Sequence, residues 1–111
     1  MIYEANPDEN RVRLLDEQIV LSMNDILNAV NYGGTGGRAV VEGVPSAGKT
    51  GTTSSYRDAW YVGYTGNYVA SVWYGNDNYT AMNNLTGGSL PAMSWQKFMA
   101  YAHTNIEVKP V

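Results

Sequence analysis

Cysteine is absent from this sequence of 111 residues, and histidine occurs only once. Without cysteine there can be no disulfide framework and no thiolate chemistry, and with a single histidine a zinc site is not expected. Basic residues are also few. Seven Lys and Arg against ten Asp and Glu give a formal net charge of −3, and the basic residues form no stripe along the chain. A phosphate backbone needs clustered cations, so we expect no nucleic-acid partner.

Long hydrophobic runs are missing too. No stretch approaches the roughly 20 apolar residues of a membrane span, and the N-terminus lacks the charged start and apolar core of a signal peptide. We therefore expect no signal or transmembrane segment in this chain. Its composition, 44% hydrophobic and 15% charged, is typical of a folded globular chain, and its length favours one small domain over residues 1–111.

A helix is predicted over residues 16–32. Apolar residues recur there at helical spacing, Asp16 is a suitable N-cap, and Gly33 stands where a C-terminal cap is expected. The S-x-N string formed by Ser22 and Asn24 lies within this helix, and we interpret both residues as part of its solvated face. The apolar set consists of Ile19, Val20, Met23, Ile26, Leu27 and Val30.

Strand-forming residues dominate the middle of the chain. A strand is predicted over 48–54 and a hairpin over 58–74, in which Gly66-Asn67 is a two-residue turn signal. Large side chains alternate onto both faces of the hairpin, which is typical of a sheet covered on both sides. In a partial sheet we expect part of that cover to be lost. These elements indicate an α+β chain, with a partial antiparallel sheet of about three strands between an N-terminal and a C-terminal helix.

The C-terminal helix is predicted over residues 90–103. Pro91 is tolerated in its first turn, and His103 is expected to cap carbonyl groups at its end. Beyond the helix, residues 105–111 suggest a frayed tail. An apolar stripe at helical spacing is formed by Trp95, Phe98, Met99 and Ala102.

Two known sequence motifs overlap at Lys49. Residues 43–50 match the P-loop spacing G-x-x-x-x-G-K-[ST], which would predict a nucleotide site if a helix began at Lys49. A hydroxyl-rich stretch and an aromatic β-run come after Lys49 instead, so we favour a chance match. Ser46 and Lys49 match S-x-x-K, which requires the two side chains one helical turn apart. Pro45 and Gly48 break any such helix.

The third string is Lys49-Thr50-Gly51, continued by Thr52. K-T-G is one element of serine β-lactamases and penicillin-binding proteins. The stretch from Gly48 to Asp77 resembles the transpeptidase domain of class A penicillin-binding proteins. So do its flanks: the helix ending in Asn28-Ala29-Val30, the Gly-Thr-Gly loop, Thr86-Gly87-Gly88 and the final helix with Trp95. The resemblance covers nearly the whole chain.

The resemblance implies roles for the K-T-G segment as an edge strand beside an active-site groove. Lys49 would supply positive charge toward the substrate and the proton network of the nucleophile. The hydroxyls of Thr50 and Thr52 would bind the carboxylate of a D-alanyl stem peptide or of a β-lactam. The backbone N–H of Thr52 would be an oxyanion-hole donor, and Gly51 would let the substrate backbone approach closely. No metal and no organic cofactor is implied.

The sequence departs from the family pattern because only 48 residues precede Lys49 and they contain no convincing nucleophile segment. We therefore expect the C-terminal part of a D,D-transpeptidase domain, inactive alone. Its parent would be anchored in the bacterial inner membrane, with the domain outside the cytoplasm. Two alternatives stay open, a P-loop nucleotide-binding domain and a non-catalytic peptide- or wall-binding module. An incomplete sheet should also expose an edge, so we expect self-association.

Overall fold

The computed structural model describes residues 2–6, 8–9 and 11–111. Two helices and one three-stranded antiparallel sheet, in the order β1-β2-β3, make up the fold and confirm the predicted α+β class. The elements are α1 Glu17–Gly33, β1 Ser46–Thr52, β2 Asp58–Thr65, β3 Val69–Gly75 and α2 Leu90–Ala102, with single 3-10 turns at Gly37–Ala39 and Ser54–Tyr56.

Helix α1 begins where its capping signal predicts. The Asp16 side chain accepts a hydrogen bond of 2.8 Å from the Gln18 amide, which satisfies one of the free donors of the first turn. The helix continues through Gly33, one residue beyond the predicted end, and Gly34 serves as its C-cap by donating to the Val30 carbonyl at 3.2 Å.

The face of α1 that meets the sheet is polar. Asn24 accepts from the Tyr64 hydroxyl, Asn28 donates to the Ser46 carbonyl at 2.9 Å, and Asn31 is buried against β1 and β2. The interpretation of Asn24 as solvated is therefore wrong, whereas Ser22 is exposed as expected. The apolar stripe faces outward instead: Ile19, Val20, Met23 and Ile26 are between 37% and 61% exposed.

Strand β1 runs from Ser46 to Thr52, so it starts and ends two residues before the predicted strand 48–54. The chain leaves the sheet at Thr53 because Ser55 and Tyr56 adopt positive φ angles of 62° and 53° in the tight turn that leads to β2. Lys49 therefore lies inside a strand, and no helix begins there. The P-loop alternative is wrong, because a strand aligns no helical N-terminus with a phosphate.

The hairpin of β2 and β3 closes with the predicted two-residue loop. The Thr65 amide donates to the Tyr68 carbonyl at 2.9 Å across Gly66-Asn67. The pairing register of the strands then shows which residues share a face of the sheet. Ala59 and Tyr61 are buried on the inner face, which α2 covers, whereas Trp60 and Val62 lie on the outer face.

The outer face of the sheet is only partly covered, as expected for a partial sheet. Trp60, Val62 and Trp73 are 41%, 45% and 43% exposed, although their neighbours on the inner face are fully buried. The two tryptophan rings pack against one another, with centroids 6.3 Å apart. An uncovered aromatic patch thus lies on the side of the sheet opposite α2.

The core lies between the inner face and α2. The Tyr61 and Trp95 rings meet edge-to-face with centroids 5.1 Å apart, and the Trp95 indole N–H donates to the Ala70 carbonyl at 3.0 Å. Met99 completes this cluster. Phe98 was predicted to share the apolar stripe, but its side chain is 59% exposed and lies outside the buried cluster. Residues 95 and 99 lie one turn apart on the face of α2 that meets the sheet. Residue 98 therefore lies to the side of that face.

His103 caps α2 as predicted. One ring nitrogen, Nδ1, is 2.7 Å from the Met99 carbonyl, and the other is 2.7 Å from the Thr65 hydroxyl. A carbonyl can only accept, so Nδ1 donates to Met99, and the ring links the end of α2 to the end of β2. The prediction of a frayed tail is wrong, because the Asn67 side chain binds the Glu107 carbonyl at 2.9 Å and the Lys109 amide at 3.0 Å.

Candidate functional site

A cavity of about 550 Å³ opens at the outer edge of β1, and three segments distant in sequence form its walls. The strand contributes Thr50 and Thr52. The Gly-rich loop after α1 forms the second wall, and the segment before α2 forms the third. The complete lining is Gly34, Thr35, Gly37, Arg38, Thr50, Thr52, Thr86 and Gly88. Four hydroxyls, three glycines and one guanidinium make this a surface rich in hydrogen-bond donors.

The Thr50 hydroxyl is held by the Gly-rich loop. Its oxygen lies 2.8 Å from the Thr35 hydroxyl oxygen, so these two side chains share a hydrogen bond across the cavity floor. The loop itself is anchored at Gly36, whose amide donates to the Val30 carbonyl at 3.0 Å. A Cβ at Gly36 would lie 2.5 Å from the Asn31 side-chain oxygen, so only glycine lets the loop pack this closely on α1.

The Thr52 hydroxyl is held by the opposite wall. Its oxygen accepts a hydrogen bond of 3.0 Å from the Gly87 amide. That bond uses an acceptor site and leaves the hydroxyl proton available for a ligand in the cavity. Gly87 lies directly on the sheet backbone: a Cβ there would be 2.8 Å from the Gly51 carbonyl oxygen and would overlap the Trp60 carbonyl oxygen.

The backbone amide of Thr52 points toward the same open edge. The next residue, Thr53, donates its amide to the Asp58 carbonyl at 3.0 Å and so faces β2. Successive residues of an antiparallel strand direct their amides to opposite edges, so the Thr52 N–H faces away from β2. Gly51 lies between Thr50 and Thr52 without a side chain to obstruct this edge.

Lys49 occupies the other side of β1. Alternation along the strand directs its side chain away from the face that carries Thr50 and Thr52, and it does not line the cavity. Its ammonium reaches back along the strand, where it donates to the Thr50 carbonyl at 3.1 Å and lies 3.5 Å from the Thr50 hydroxyl oxygen. Of the four residues singled out from sequence, the structure therefore brings Thr50, Gly51 and Thr52 to one edge, and the Lys49 ammonium reaches the Thr50 hydroxyl from the neighbouring face.

Ser46, the serine of the S-x-x-K string, is unavailable for chemistry with Lys49. It lies in β1 three positions before the lysine, so the two side chains point to opposite faces. Ser46 is also fully buried, and its hydroxyl accepts a hydrogen bond of 2.9 Å from the Asn31 amide. The helix required by an S-x-x-K nucleophile is replaced here by a strand.

Sequence reasoning missed Arg38 and the individual roles of Thr35, Thr86 and Gly87. The Gly-Thr-Gly loop and the Thr86-Gly87-Gly88 segment stand out in the sequence only as flanking similarity. No local pattern indicates that they meet β1, because the Thr35–Thr50 and Gly87–Thr52 contacts span 15 and 35 residues. The available signal was the concentration of glycine in both segments, which marks close backbone approach.

Comparison with known proteins supports one family. Residues 2–101 match the family model described as the penicillin-binding protein transpeptidase domain. Penicillin-binding protein 1A of Clostridium acetobutylicum is 37% identical over 100 residues, which cover 89% of this chain and 12% of that protein. Penicillin-binding protein 1A of Pseudomonas aeruginosa is 35% identical over 102 residues, covering 90% of this chain and 12% of that protein. The chain thus spans about an eighth of these relatives.

Solved structures agree on the fold. The crystal structure of penicillin-binding protein 1A from Haemophilus influenzae superposes with a TM-score of 0.75 and 23% identity, over 89% of this chain and 16% of that one. The transpeptidase domain of the FtsI4 D,D-transpeptidase from Legionella pneumophila gives a TM-score of 0.65 and 26% identity, over 87% of this chain and 40% of that one. The chain therefore belongs to the penicillin-binding protein transpeptidase domain family, as a fragment of that domain.

Proposed function

We propose that this chain forms the substrate-binding wall of a serine D,D-transpeptidase, which cross-links peptidoglycan stem peptides through an acyl-enzyme. The observation that carries the proposal is the cavity at the edge of β1, where the hydroxyls of Thr50 and Thr52 face a glycine-rich wall. A substrate chain that ends in a carboxylate finds hydroxyl donors there for its charge and an unobstructed strand edge for its backbone.

Two groups of Thr52 serve different steps in this proposal. Its hydroxyl, held through oxygen by Gly87, donates to the terminal carboxylate of the D-alanyl peptide. Its backbone amide, directed toward the open edge, donates to the oxyanion that forms when the carbonyl of the scissile bond is attacked. An amide fixed in a strand costs no reorganisation at that moment, and this is the source of its effect on rate.

The serine nucleophile comes, in this proposal, from another part of the transpeptidase domain. The Lys49 ammonium, 3.5 Å from the Thr50 hydroxyl oxygen, has in this proposal a role toward the nucleophile's proton network. Ser46 has no such role because it is buried and bonded to Asn31. Alone, the chain binds peptide but forms no acyl-enzyme. β-Lactams, which imitate the D-alanyl terminus, are the second ligand class of the intact domain.

The location proposed for the parent protein follows from its substrate. Peptidoglycan is assembled outside the cytoplasm, so the parent is proposed to be anchored in the inner membrane of a bacterium with this domain on the outer side. Within the described residues, neither helix has the length and apolar character needed to cross a bilayer.

The test is a titration of the 15N-labelled chain with N-acetyl-D-Ala-D-Ala, followed through the backbone amides. We expect saturable shifts at Thr50, Gly51 and Thr52 and no comparable shifts in α2. The L-Ala-L-Ala enantiomer and the C-terminal amide of the D-peptide are the controls, and both should bind more weakly. Equal shifts with all three peptides would remove the proposed substrate.

A non-catalytic peptide- or wall-binding module remains the second candidate, because the same groove supports it. A binding module would give the same peptide binding in this chain as a transpeptidase fragment. The two functions separate when the chain is studied as part of its longer protein: a transpeptidase acquires a covalent penicillin adduct there, and a binding module does not.

A further inference from the structure

We infer that the turn between β2 and β3 carries a binding site for an extended main chain, and that the C-terminal segment 105–111 of the same chain is its ligand, held there as a strap. The site consists of Gly66 and Asn67. It lies at the end of β1 opposite the groove, because the neighbouring Thr65 pairs with Ser46, the first residue of that strand. Its role is independent of the proposed function.

The side-chain amide of Asn67 binds the strap at two points. Its nitrogen donates to the Glu107 carbonyl at 2.9 Å, and its oxygen accepts from the Lys109 amide at 3.0 Å. Because that carbonyl can only accept and that N–H can only donate, the pairing also fixes the orientation of the Asn67 side chain. One amide thus supplies both the donor and the acceptor that a neighbouring strand would offer to an extended segment.

The site recognises main chain rather than side chains. Glu107 and Lys109 are exposed, and both bonds to Asn67 are made by their main-chain atoms. Gly66 provides the space for the strap, because a Cβ there would overlap the carbonyl oxygens of Lys109 and Pro110. The φ angle of Gly66 is not in the left-handed region, so glycine is required here for space and not for backbone conformation.

The turn that carries the site is held by Thr65 and His103. The Thr65 hydroxyl oxygen accepts from the amides of Asn67 and Tyr68, each at 3.1 Å, and lies 2.7 Å from Nε2 of His103. His103 ends α2, and Asn105, with a φ of 59°, reverses the chain just beyond it. One contact between β2 and α2 therefore fixes both the binding site and the starting point of the strap.

The bound strap closes a second cavity, of about 280 Å³, at this end of the molecule. Pro110 and Val111 form one of its walls, and Val111 is half-buried although residues 104–110 are exposed. The opposite walls come from α1 and from the chain before β1: Asn24, Asp25, Asn28 and Pro45. Release of the strap opens this cavity to solvent.

The experiment measures backbone order parameters of residues 107–109 in the 15N-labelled full chain. In the wild type we expect values near the ~0.85 of a rigid backbone. Asn67→Ala removes both bonds and Gly66→Ala excludes the strap by overlap, so each should lower the values below about 0.6. Asn76→Ala is the matched control: Asn76 makes the same kind of bond, to the Thr80 carbonyl at 3.1 Å, and its loss should leave the strap rigid.

Two substitutions at Lys109 test whether main chain is what the site binds. Lys109→Pro deletes the N–H that Asn67 accepts and should release the strap to the same extent as Asn67→Ala. Lys109→Ala deletes only the side chain and should leave the strap bound. In every variant that releases the strap, the amide signals of Asn24 and Asp25 should shift, because their cavity has lost a wall.

A mobile strap in the wild type, or a rigid strap in both Asn67→Ala and Lys109→Pro, overturns the inference. Equal loss of order in Lys109→Ala and Lys109→Pro also overturns it, because the side chain would then be what is bound. The amide signals of β2 and β3 verify that each variant retains the hairpin. Lys109 lies outside both helices and the sheet, so its two variants decide the question even where Asn67→Ala disturbs the turn.

Discussion

The Tyr61 hydroxyl donates a hydrogen bond of 2.5 Å to the side-chain oxygen of Asn31, and this bond joins the middle strand to the last turn of α1. The same Asn31 donates through its nitrogen to the Ser46 hydroxyl. All three side chains are fully buried or nearly so. The position of the Gly-rich loop relative to β1, and with it the width of the groove, depends on this small polar network.

Replacement of Asn31 by Ala should destabilise the chain strongly. It leaves the Tyr61 and Ser46 hydroxyls buried without partners, and two such groups together cost about 3 kcal/mol in the free energy of unfolding. Chemical denaturation at low protein concentration measures it. Asn28→Ala is the matched control, because Asn28 is half-buried with a single bond to the Ser46 carbonyl and should cost only about 1 kcal/mol. Equal losses would contradict the network.

Stability should also fall at alkaline pH because of Tyr61. Burial raises the pKa of this phenol from 10.0 to about 12. The folded state thus keeps a proton that the unfolded state loses above pH 10, so the stabilisation is complete below pH 10 and is lost progressively toward pH 12. Two pKa units correspond to about 3 kcal/mol.

The measurement is the free energy of unfolding of the wild-type chain and of Tyr61→Phe between about pH 8 and pH 12, the range that brackets both pKa values. The variant is less stable at the lower end, since Asn31 loses a partner, but the difference between the two proteins should shrink as the pH rises. Burial raises the pKa of Tyr64 as well, and because both proteins retain Tyr64 its contribution cancels in the comparison. A constant difference across the range would contradict the prediction.

Gly87→Ala should damage the groove. The added Cβ would overlap the Trp60 carbonyl oxygen, so the segment must move and the hydrogen bond to Thr52 is lost. We expect a loss of about 2 kcal/mol in stability together with weaker peptide binding. Gly33→Ala is the control, because a Cβ there meets nothing within 4 Å and should change stability by less than about 1 kcal/mol.

The exposed outer face of the sheet should cause self-association. An apolar patch on β2 and β3 is formed by Trp60, Val62 and Trp73. In the described sheet, β3 is also an edge strand, with a strand neighbour on one side only. Sedimentation of the wild-type chain should reveal dimers or larger species at high concentration. Val62→Lys should shift these species toward monomer. Tyr101→Lys, at an exposed position of α2, should leave the association unchanged. A monomeric wild-type chain at high concentration would contradict this prediction.

Incubation of this chain with a penicillin should give no covalent adduct in intact-mass analysis. Ser46 is buried on one face of β1 and Lys49 lies on the other, so no lysine activates this serine. Absence of an activated nucleophile costs on the order of a millionfold in turnover. An intact penicillin-binding transpeptidase, treated in parallel, is the positive control. An adduct on Ser46 would show that the buried hydroxyl becomes accessible.

Local chemistry predicted the elements better than their orientation. Asp16 indicated the start of α1, and Gly66-Asn67 indicated the hairpin, because a cap and a two-residue turn are set by neighbouring residues. The buried side of α1 could not be predicted from hydrophobic periodicity. Asn24, Asn28 and Asn31 recur at the same helical spacing as the apolar stripe, and their amides match hydroxyl and carbonyl groups of β1 and β2.

The candidate site was predictable only in part. Thr50, Gly51 and Thr52 were identified because a strand carries its pattern in adjacent residues. Thr35, Arg38 and Gly87 join them through contacts that depend on how the two loops fold over the sheet. Hydrophobic and turn signals do not encode such long-range approach, so the place of Arg38 in the cavity wall could not be predicted.

The glycine contacts that border the cavity have an evolutionary consequence. Gly87 rests on the main chain of Gly51 and Trp60, and a Cβ at Gly88 would lie 2.6 Å from the Thr35 carbonyl oxygen. Main-chain atoms thus act as spacers between the walls, together with the hydrogen bonds of the Thr50 and Thr52 hydroxyls. Residues such as Arg38 and Thr86 can drift, or be redesigned for a new peptide, while the dimensions of the opening stay constant.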